Sequence, residues 1–287
     1  MPLFKIVILA IIQGLAELLP VSSSAHVVVA ERIMGLNASS PQMTLMLVML
    51  HTGTMFAVIV YFWRQWRSSY FRSSGAFSLI AVRLIWATVL TGIVGVIMMK
   101  VIEKTLLRGI PHAQIEDLFN HLEWIWPALA AAGILILIAG IFTRDESIDD
   151  RHEPSLPQSG IIGAVQGLCL PFRGFSRSGA TISTGMLAGV ARERAETFSF
   201  ALAVILTPPV VAREVWRLAK AQHITGGLNL ASAMVPGLIG MGCSFLAGLI
   251  ALKWLSRWLE GGRWYIFGLY CLAASAAVFY LHYHLGY

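Results

Sequence analysis

The sequence QGLAELLPVSSSAH, residues 13–26, ends the first apolar stretch of the chain in a proline, three serines and a histidine. That stretch, residues 4–19, is shorter than the roughly 20 residues that a helix needs to cross the hydrocarbon core of a membrane. Non-helical backbone at membrane depth persists only where protein or a watery cavity satisfies its amides. The pattern therefore predicts a re-entrant hairpin whose break lines a polar cavity.

A second stretch repeats this pattern. Residues 160–170 are apolar, and residues 171–181 read PFRGFSRSGAT. The tripeptide Gln-Gly-Leu begins at Gln13 and again at Gln166, 153 positions later, and each copy is followed by a serine cluster. Three predicted spans follow each break, so the second copy enters from the opposite side of the membrane. The sequence predicts one membrane domain, residues 1–287, with an inverted-topology repeat over residues 1–142 and 159–287.

The composition indicates a chain that faces lipid. Of its residues 57% are hydrophobic and 13% are charged, whereas a soluble domain carries about 25% charged residues. The apolar residues come in blocks of membrane-spanning length. We expect an all-α integral membrane protein with two re-entrant helical hairpins and about six transmembrane helices, at residues 43–63, 77–99, 121–142, 198–216, 230–252 and 264–283.

The charged loops predict the orientation and the partners. Basic residues dominate the loop after the first span and the loop before the last, namely Arg64, Arg67, Arg72, Lys253, Arg257 and Arg263. Such loops are cytoplasmic as a rule, which places both termini outside. The net charge of +6 favours anionic membrane lipids as partners, and so little soluble surface makes nucleic acid a poor one. The three cysteines lack the paired spacing of disulfides or metal clusters.

The two breaks have the chemistry of a phosphate site. Hydroxyls and small residues before a helix leave backbone amides free at the positive end of its dipole. Arg177 adds a guanidinium that can hold two phosphate oxygens, although an ion pair with Glu17 or Glu196 is the structural alternative. The other residues predicted to bind substrate are Gln13, Ser22, Ser24, Arg173, Ser176, Ser178, Gly179 and Thr181.

Acid–base groups stand beside the first break. Gln13 and Glu17 are four residues apart and share one face of a helix, where a carboxylate could hold a divalent cation, act as a base or cap the serine loop. His26 could attack phosphorus, protonate a leaving oxygen or activate Ser23, and a structural role is its alternative. A packing or ion-pair role is as consistent as a functional one for Glu31, Arg32, His51 and Arg83.

At these breaks the sequence resembles the undecaprenyl-pyrophosphate phosphatase family of the bacitracin-resistance type. Residues 13–26 match the family pattern (Glu/Gln)-x-x-x-Glu and its continuation Pro-Val-Ser-Ser-x-x-His, and residues 174–183, GFSRSGATIS, match a second signature. Residues 198–200, FSF, follow at the family's spacing. Three places depart from the pattern: Arg173 precedes Gly174 where Pro-Gly is common, Ala25 replaces a glycine, and His51-Thr52-Gly53 replaces Gln-Leu-Gly.

The resemblance implies hydrolysis of a polyprenyl diphosphate lipid to the monophosphate carrier used in cell-wall synthesis. It places the reaction on the outer side of the bacterial inner membrane, usually with Mg or Ca. It implies Gln13 and Glu17 as the acidic-motif positions, Ser23 and His26 as nucleophile or proton-transfer groups, and Arg177 as the diphosphate clamp. The predicted catalytic residues are therefore the four residues Glu17, Ser23, His26 and Arg177, and the predicted cation ligands are Glu17 and Gln13.

Two other classes of function compete with hydrolysis. Inverted repeats with broken helices near the midplane are also built by secondary transporters, so a flippase for an isoprenoid phosphate lipid is the main alternative. A carrier has no evident use for the carboxylate, serine and histidine clustered beside the anion site, and these favour an enzyme. A non-catalytic lipid-binding scaffold explains the embedded charges less well. The sequence leaves a homodimer open.

Overall fold

The structure, a computed structural model, describes residues 2–37, 40–105, 122–143, 153–225 and 230–285. Within these ranges the chain forms ten helices and no strand. In chain order they are α1 (Leu3–Leu18), α2 (Ser23–Ile33), α3 (Pro41–Ser69), α4 (Ser74–Thr105), α5 (Leu122–Phe142), α6 (Leu156–Cys169), α7 (Arg177–Leu187), α8 (Arg192–Thr225), α9 (Leu230–Glu260) and α10 (Tyr265–Leu285).

Six of these helices are long and apolar enough to cross a membrane. They contain the candidate spans Met43–Ser69, Ser74–Thr105, Leu122–Phe142, Arg192–Trp216, Met234–Trp258 and Tyr265–His284. The six predicted spans are thereby confirmed in number and approximate place. The predicted start of the third span, His121, lies outside the described residues. Several helices extend past the predicted apolar windows into polar sequence.

The two short apolar stretches form helices that double back. Helix α1 has 16 residues, and its start meets the end of α2 where Lys5 Nζ donates a hydrogen bond to the Met34 carbonyl at 2.6 Å. Helix α6 has 14 residues, and Gln158 Nε2 near its start donates to the Ala188 carbonyl after α7 at 2.9 Å. In each pair the chain reverses at the predicted polar break, so the two breaks lie at hairpin tips.

Glycines bring the first helix of each pair into backbone contact with a long helix. Helix α1 packs on α9, and a Cβ atom added at Gly14 would lie 2.6 Å from both the Ser244 carbonyl oxygen and the Ala247 Cβ. Helix α6 packs on α4, and a Cβ atom at Gly167 would lie 2.5 Å from the Thr91 carbonyl oxygen. Small residues permit such close approach between helices in lipid. The two hairpins are therefore fixed against the spans.

Helix α7 is buried along most of its length. It lies against α5, α6 and α8, and its apolar residues join a core cluster that includes Ile136, Phe198 and Phe200. The indole of Trp264 reaches into this core and donates a hydrogen bond to Ser183 Oγ at 2.9 Å. A helix packed in this way holds its N-terminal residue, Arg177, in a defined position.

Candidate active site

The carboxylate of Glu17 joins the two hairpin tips. Its Oε1 lies 2.9 Å from Nη2 of Arg177, and its Oε2 accepts hydrogen bonds from Ser23 Oγ at 2.5 Å and Gln13 Nε2 at 3.2 Å. The side chains of Glu17 and Arg177 are 17% and 21% exposed. The structure therefore brings together four of the predicted site residues, and the predicted approach of the breaks around Ser23 and Arg177 is confirmed.

The two amino groups of the Arg177 guanidinium have different surroundings. Of the two carboxylates considered as ion-pair partners, Glu17 makes the contact, whereas Glu196 accepts a hydrogen bond from Ser256 Oγ. The second amino group of Arg177, Nη1, is buried and has no hydrogen-bond partner in the described part of the chain. A buried cationic donor without a partner favours an added acceptor such as a phosphate oxygen.

Hydrogen bonds between the hairpins hold the tips in register. The backbone amide of Gly174 donates to Ser24 Oγ at 3.2 Å, and Ser178 Oγ donates to the Leu19 carbonyl at 3.3 Å. Gly174 has a φ of 101°, and a Cβ atom there would collide with the Ile125 carbonyl oxygen, so this position requires glycine. The tethers fix the distance between the Glu17 and Arg177 backbones.

The first turn of α2 presents strained backbone and uncapped amides. Ser22, with φ 67° and ψ 92°, has the only positive φ among the non-glycine residues that the structure describes. Such conformations cost about 1–3 kcal/mol and concentrate at functional sites. No side chain caps the first turn that begins at Ser23. Its amides and the positive end of the helix dipole therefore remain available to an anion beside Arg177.

His26 lies apart from the Glu17 cluster. Its Nδ1 is 2.7 Å from the Ser22 carbonyl oxygen, and its Nε2 is 2.7 Å from the hydroxyl of Tyr270 on α10. The His26 and Tyr270 rings are also stacked, with centroids 5.7 Å apart. Both ring nitrogens are thus engaged away from Ser23. Of the three roles predicted for His26, activation of Ser23 has the least geometric support, because the base beside Ser23 is Glu17.

Tyr270 is a residue of the site that was not predicted from the sequence. A signal was present, since a tyrosine in an apolar span needs a partner for its hydroxyl. The sequence could not identify that partner because 244 positions separate Tyr270 from His26.

His51 belongs to the site as well. Its Nδ1 lies 2.8 Å from the Leu47 carbonyl oxygen, and its Nε2 faces Glu17 Oε2 at 3.7 Å. A carbonyl oxygen only accepts hydrogen bonds, so Nδ1 carries a proton. The sequence left both an ion-pair or packing role and a functional role open for His51. In the structure His51 lies against the carboxylate of Glu17, and 44% of its side chain is exposed.

Several predicted substrate-binding groups are engaged within the protein. Ser176 Oγ accepts the Gly179 amide at 3.2 Å and so caps α7. Thr181 Oγ1 donates to the Arg177 carbonyl at 2.8 Å and lies 2.6 Å from Ser199 Oγ. With Ser178 tied to the first hairpin, these groups order the turn that carries Arg177. Direct substrate binding by these side chains stays a prediction. It would require each side chain to give up its hydrogen bond within the protein for one to the substrate.

Arg173 points to a different carboxylate. It lies close enough to Glu31 for an electrostatic interaction, and Glu31 is buried with no hydrogen bond to either carboxylate oxygen in the described part of the chain. Arg173 and Arg177 thus interact with separate acids on the first hairpin. The sequence predicted both arginines as phosphate-binding residues, and the structure places Arg177 in contact with Glu17.

The cluster lines a cleft halfway along the spans. The residues around this cleft include Glu17, Arg177, Thr54, Met55, Ala203 and Thr207. Thr54 lies near the middle of the span Met43–Ser69, and Ala203 lies near the middle of the span Arg192–Trp216. The polar groups of the site therefore lie near the middle of the long helices.

The side chains of this site could hold a divalent cation only if an anionic ligand were bound with it. Among the described residues no three histidine, cysteine or acidic side chains are grouped so that they could hold a metal ion. Mg²⁺ is usually held by one or two carboxylates and completed by substrate phosphates and water. Glu17 supplies one carboxylate, and Gln13 supplies an amide beside it. A cation site here would need oxygens from a bound phosphate.

Comparison with known proteins gives one consistent result. Residues 6–277 match the family model described as bacitracin resistance protein BacA. The chain is 55% identical over 281 residues to undecaprenyl-diphosphatase 2 of Acinetobacter baylyi, with 97% of each chain covered. It is 32% identical to undecaprenyl-diphosphatase 2 of Burkholderia orbicola, with 96% of this chain and 95% of that protein covered. It is 29% identical to undecaprenyl-diphosphatase of Rhodopirellula baltica, with 98% of each covered.

Proposed function

Because the chain belongs to the bacitracin resistance protein BacA family, we propose that it is a membrane phosphatase acting on undecaprenyl diphosphate. It hydrolyses this lipid to the monophosphate and so recycles the carrier for cell-wall synthesis. The observation that carries this function is the arrangement around Glu17, which holds a serine hydroxyl at 2.5 Å on one oxygen and Arg177 at 2.9 Å on the other. The nucleophile Ser23 and the phosphate-binding guanidinium of Arg177 are thereby both in contact with the base, Glu17.

The substrate's terminal phosphate binds between the two hairpin tips. The free Nη1 of Arg177 and the uncapped amides of the first turn of α2 supply donors to its oxygens. Because Arg177 already contacts Glu17, the phosphorus is held close to the Ser23 hydroxyl. The guanidinium then opposes the negative charge that the phosphoryl oxygens carry during transfer.

Ser23 and Glu17 perform the proton and phosphoryl transfer. Glu17 takes the hydroxyl proton as Ser23 Oγ attacks the terminal phosphorus, and the bond from that phosphorus to the bridging oxygen breaks. The prenyl monophosphate leaves with the electron pair of that bond. Water then attacks the phosphorus of the phosphorylated serine and the Oγ–P bond breaks, while Glu17 returns its proton to Ser23 Oγ; the proton lost by the water leaves with inorganic phosphate or passes to solvent. His26 makes its hydrogen bonds to Ser22 and Tyr270 rather than to Ser23, and its other predicted roles, attack on phosphorus and protonation of the leaving oxygen, stay predictions.

A divalent cation, Mg or Ca, is part of this proposal. Glu17 would hold it with Gln13, and the diphosphate oxygens would complete its coordination. When bound, such an ion neutralises charge on the diphosphate and makes the phosphorus more open to attack. Arg177 shares the carboxylate of Glu17, so cation and guanidinium would balance the diphosphate charge together.

Paired glycine contacts support the inverted repeat. The residues that surround Gly14 and those that surround Gly167 correspond one to one, each 153 positions from its counterpart. The first set is Gly14 with Ser244, Ala247 and Gly248, and the second is Gly167 with Thr91, Val94 and Gly95. The same offset separates the two Gln-Gly-Leu tripeptides. In the proposed arrangement each hairpin is re-entrant, and the two enter the bacterial inner membrane from opposite faces.

The site opens to the outer side of the membrane in this proposal. The basic loops after α3 and before α10 support a cytoplasmic location for those helix ends. Pro41 at the start of α3 then faces outward, as does the open end of the first hairpin. The diphosphate group of the lipid would reach Arg177 from the outer leaflet.

The contact between Ser23 and Glu17 favours hydrolysis over transport. A flippase needs affinity for an anion, which Arg177 and the helix amides already provide. It has no use for a hydroxyl hydrogen-bonded at 2.5 Å to a carboxylate next to the anion site. The phosphatase uses both groups.

The test is phosphate release from undecaprenyl diphosphate by the purified full-length protein in detergent. We expect inorganic phosphate and undecaprenyl monophosphate in equal amounts, with activity lost in a chelator and restored by Mg or Ca. The matched control is the Ser23→Ala protein, purified in the same way. Transport of the intact lipid across vesicles without phosphate release would contradict the proposed function.

A further inference from the structure

Helix α8 changes from buried to exposed partway along its length. Every residue from 195 to 203 is buried, and these residues cover all faces of the helix because they make about two and a half turns. None of the residues from 204 to 216 is buried. The change occurs just before Pro208 and Pro209, which cannot donate backbone hydrogen bonds to the carbonyls of Val204 and Ile205. Prolines at such positions bend a helix away from its neighbours.

The cleft at Glu17 and Arg177 lies at this point of α8. Three residues of α3 and three of α8 form its walls, and they are Thr54, Met55, Val58, Ala203, Val204 and Thr207. Beside these walls, Phe56 on α3 and Ile205 on α8 are 46% and 41% exposed on the outside of the spans. The cleft therefore borders both the charged groups of the site and the apolar surface that faces lipid.

The walls on α3 and α8 are apolar except for two threonine hydroxyls. Thr54 Oγ1 donates a hydrogen bond to the His51 carbonyl at 2.9 Å, and Thr207 Oγ1 donates to the Ala203 carbonyl at 2.8 Å. Each hydroxyl proton is thus used within its own helix, so an apolar ligand would leave neither donor unpaired. A chain of isoprene units is apolar along its whole length and is stabilised by contact with such walls.

We propose that the cleft between α3 and α8 binds the isoprene units next to the diphosphate, and that the prenyl chain passes between these two helices into the bilayer. This inference rests on the proposed function, which places the diphosphate at Arg177. The prenyl chain is joined covalently to the diphosphate, so it must begin beside the charged groups. The cleft is lined by Glu17 and Arg177 together with the apolar side chains of α3 and α8, and it therefore suits both parts of the lipid.

The variants Val204→Phe and Ile205→Phe form a matched pair on adjacent residues. Val204 lines the cleft, whereas Ile205 belongs to the exposed surface of the helix. A phenyl ring at position 204 would occupy the space of the first isoprene units. We expect Val204→Phe to raise KM for undecaprenyl diphosphate about tenfold, the effect of about two lost methylene contacts. Ile205→Phe should keep the wild-type KM.

Inorganic diphosphate tests the charged groups alone, because it has the headgroup without the chain. Its inhibition constant is measured against formation of undecaprenyl monophosphate from the lipid. We expect the same constant in the wild type, Val204→Phe and Ile205→Phe. An equal rise in KM and in this constant in Val204→Phe would mean that the substitution disturbs the charged groups, and it would overturn the proposal. An unchanged KM in Val204→Phe would overturn it as well.

Photo-crosslinking locates the chain without turnover. The probe is undecaprenyl diphosphate with a diazirine in its first isoprene unit, bound to the full-length Ser23→Ala protein and mapped by mass spectrometry. We expect labelled peptides from α3 and α8, with labelling suppressed by excess unmodified lipid. Absence of such labelling from both helices would overturn the proposal. The proposed function is read separately, because labelled α3 and α8 without phosphate release by the wild type would contradict hydrolysis and leave this lipid site in place.

Discussion

Arg177 Nη2 and Glu17 Oε1 lie 2.9 Å apart although 160 positions of chain separate the two residues. Each residue comes from one hairpin, so neither hairpin contains a complete site. The first carries the carboxylate and the serine, and the second carries the guanidinium. The packing of both hairpins against the long spans therefore determines whether the catalytic groups meet.

Arg177 is predicted to act as a two-pronged clamp that lysine cannot replace. Lysine keeps the charge but offers a single ammonium group for both Glu17 and phosphate. We expect Arg177→Ala to lower kcat/KM about 100- to 1,000-fold and Arg177→Lys to lose most of the activity. The measurement is phosphate release over a lipid titration.

Arg173→Ala is the control for the clamp, since Arg173 lies in the same turn but interacts with Glu31. Its kcat/KM should fall less than that of Arg177→Ala, because this substitution leaves the contact between Arg177 and Glu17 in place. A larger loss in Arg173→Ala than in Arg177→Ala would move the clamp to Arg173.

Substitutions of the adjacent residues Ser23 and Ser24 are predicted to have different effects on turnover. Ser23 Oγ contacts Glu17, whereas Ser24 Oγ accepts the amide of Gly174. If Ser23 attacks phosphorus, Ser23→Ala should lower kcat by about 1,000-fold or more and leave lipid affinity intact. Ser24→Ala should lower kcat by about tenfold or less. Binding of the lipid diphosphate is measured alongside turnover, and lost affinity in Ser23→Ala at unchanged kcat would favour the flippase.

Glu17→Gln tests the carboxylate as a base and as a cation ligand. The amide keeps the size of the side chain but removes the charge that balances Arg177. We expect a lower kcat and a higher Mg or Ca concentration for half-maximal activity. The comparison is with His51→Gln, which leaves the carboxylate in place and should change kcat less. An unaltered cation requirement in Glu17→Gln would place the cation elsewhere.

Gly14 is predicted to be a packing position for the first hairpin. A Cβ atom there would lie 2.6 Å from backbone and side-chain atoms of α9, whereas one at Gly242, on α9 itself, meets nothing within 4 Å. Gly14→Ala should lower the free energy of unfolding by about 1–3 kcal/mol. Gly242→Ala should raise it by up to about 1 kcal/mol, because alanine favours helix. Thermal unfolding in one detergent compares them, and equal Tm values would argue against close packing at Gly14.

The sequence by itself determined the elements of this fold. Six spans follow from apolar length, and two interrupted helices follow from proline and serine clusters, because both signals depend on neighbouring residues only. The four-residue spacing of Gln13 and Glu17 placed both side chains on one helix face, and they are hydrogen-bonded at 3.2 Å. The motifs also identified Ser23 and Arg177, since hydroxyls and a guanidinium at a helix start are typical of a phosphate site.

Only the tertiary structure decided which of these groups act together. Two arginines four positions apart interact with different acids, Arg177 with Glu17 and Arg173 with Glu31. His26 bonds to Tyr270 rather than to Ser23, although Ser23 is three residues away. Local sequence cannot settle these choices, because the direction of each side chain depends on a helix rotation fixed by distant packing contacts. Glycines 14 and 167 set the position of the hairpins against α9 and α4, and the site takes its geometry from that position.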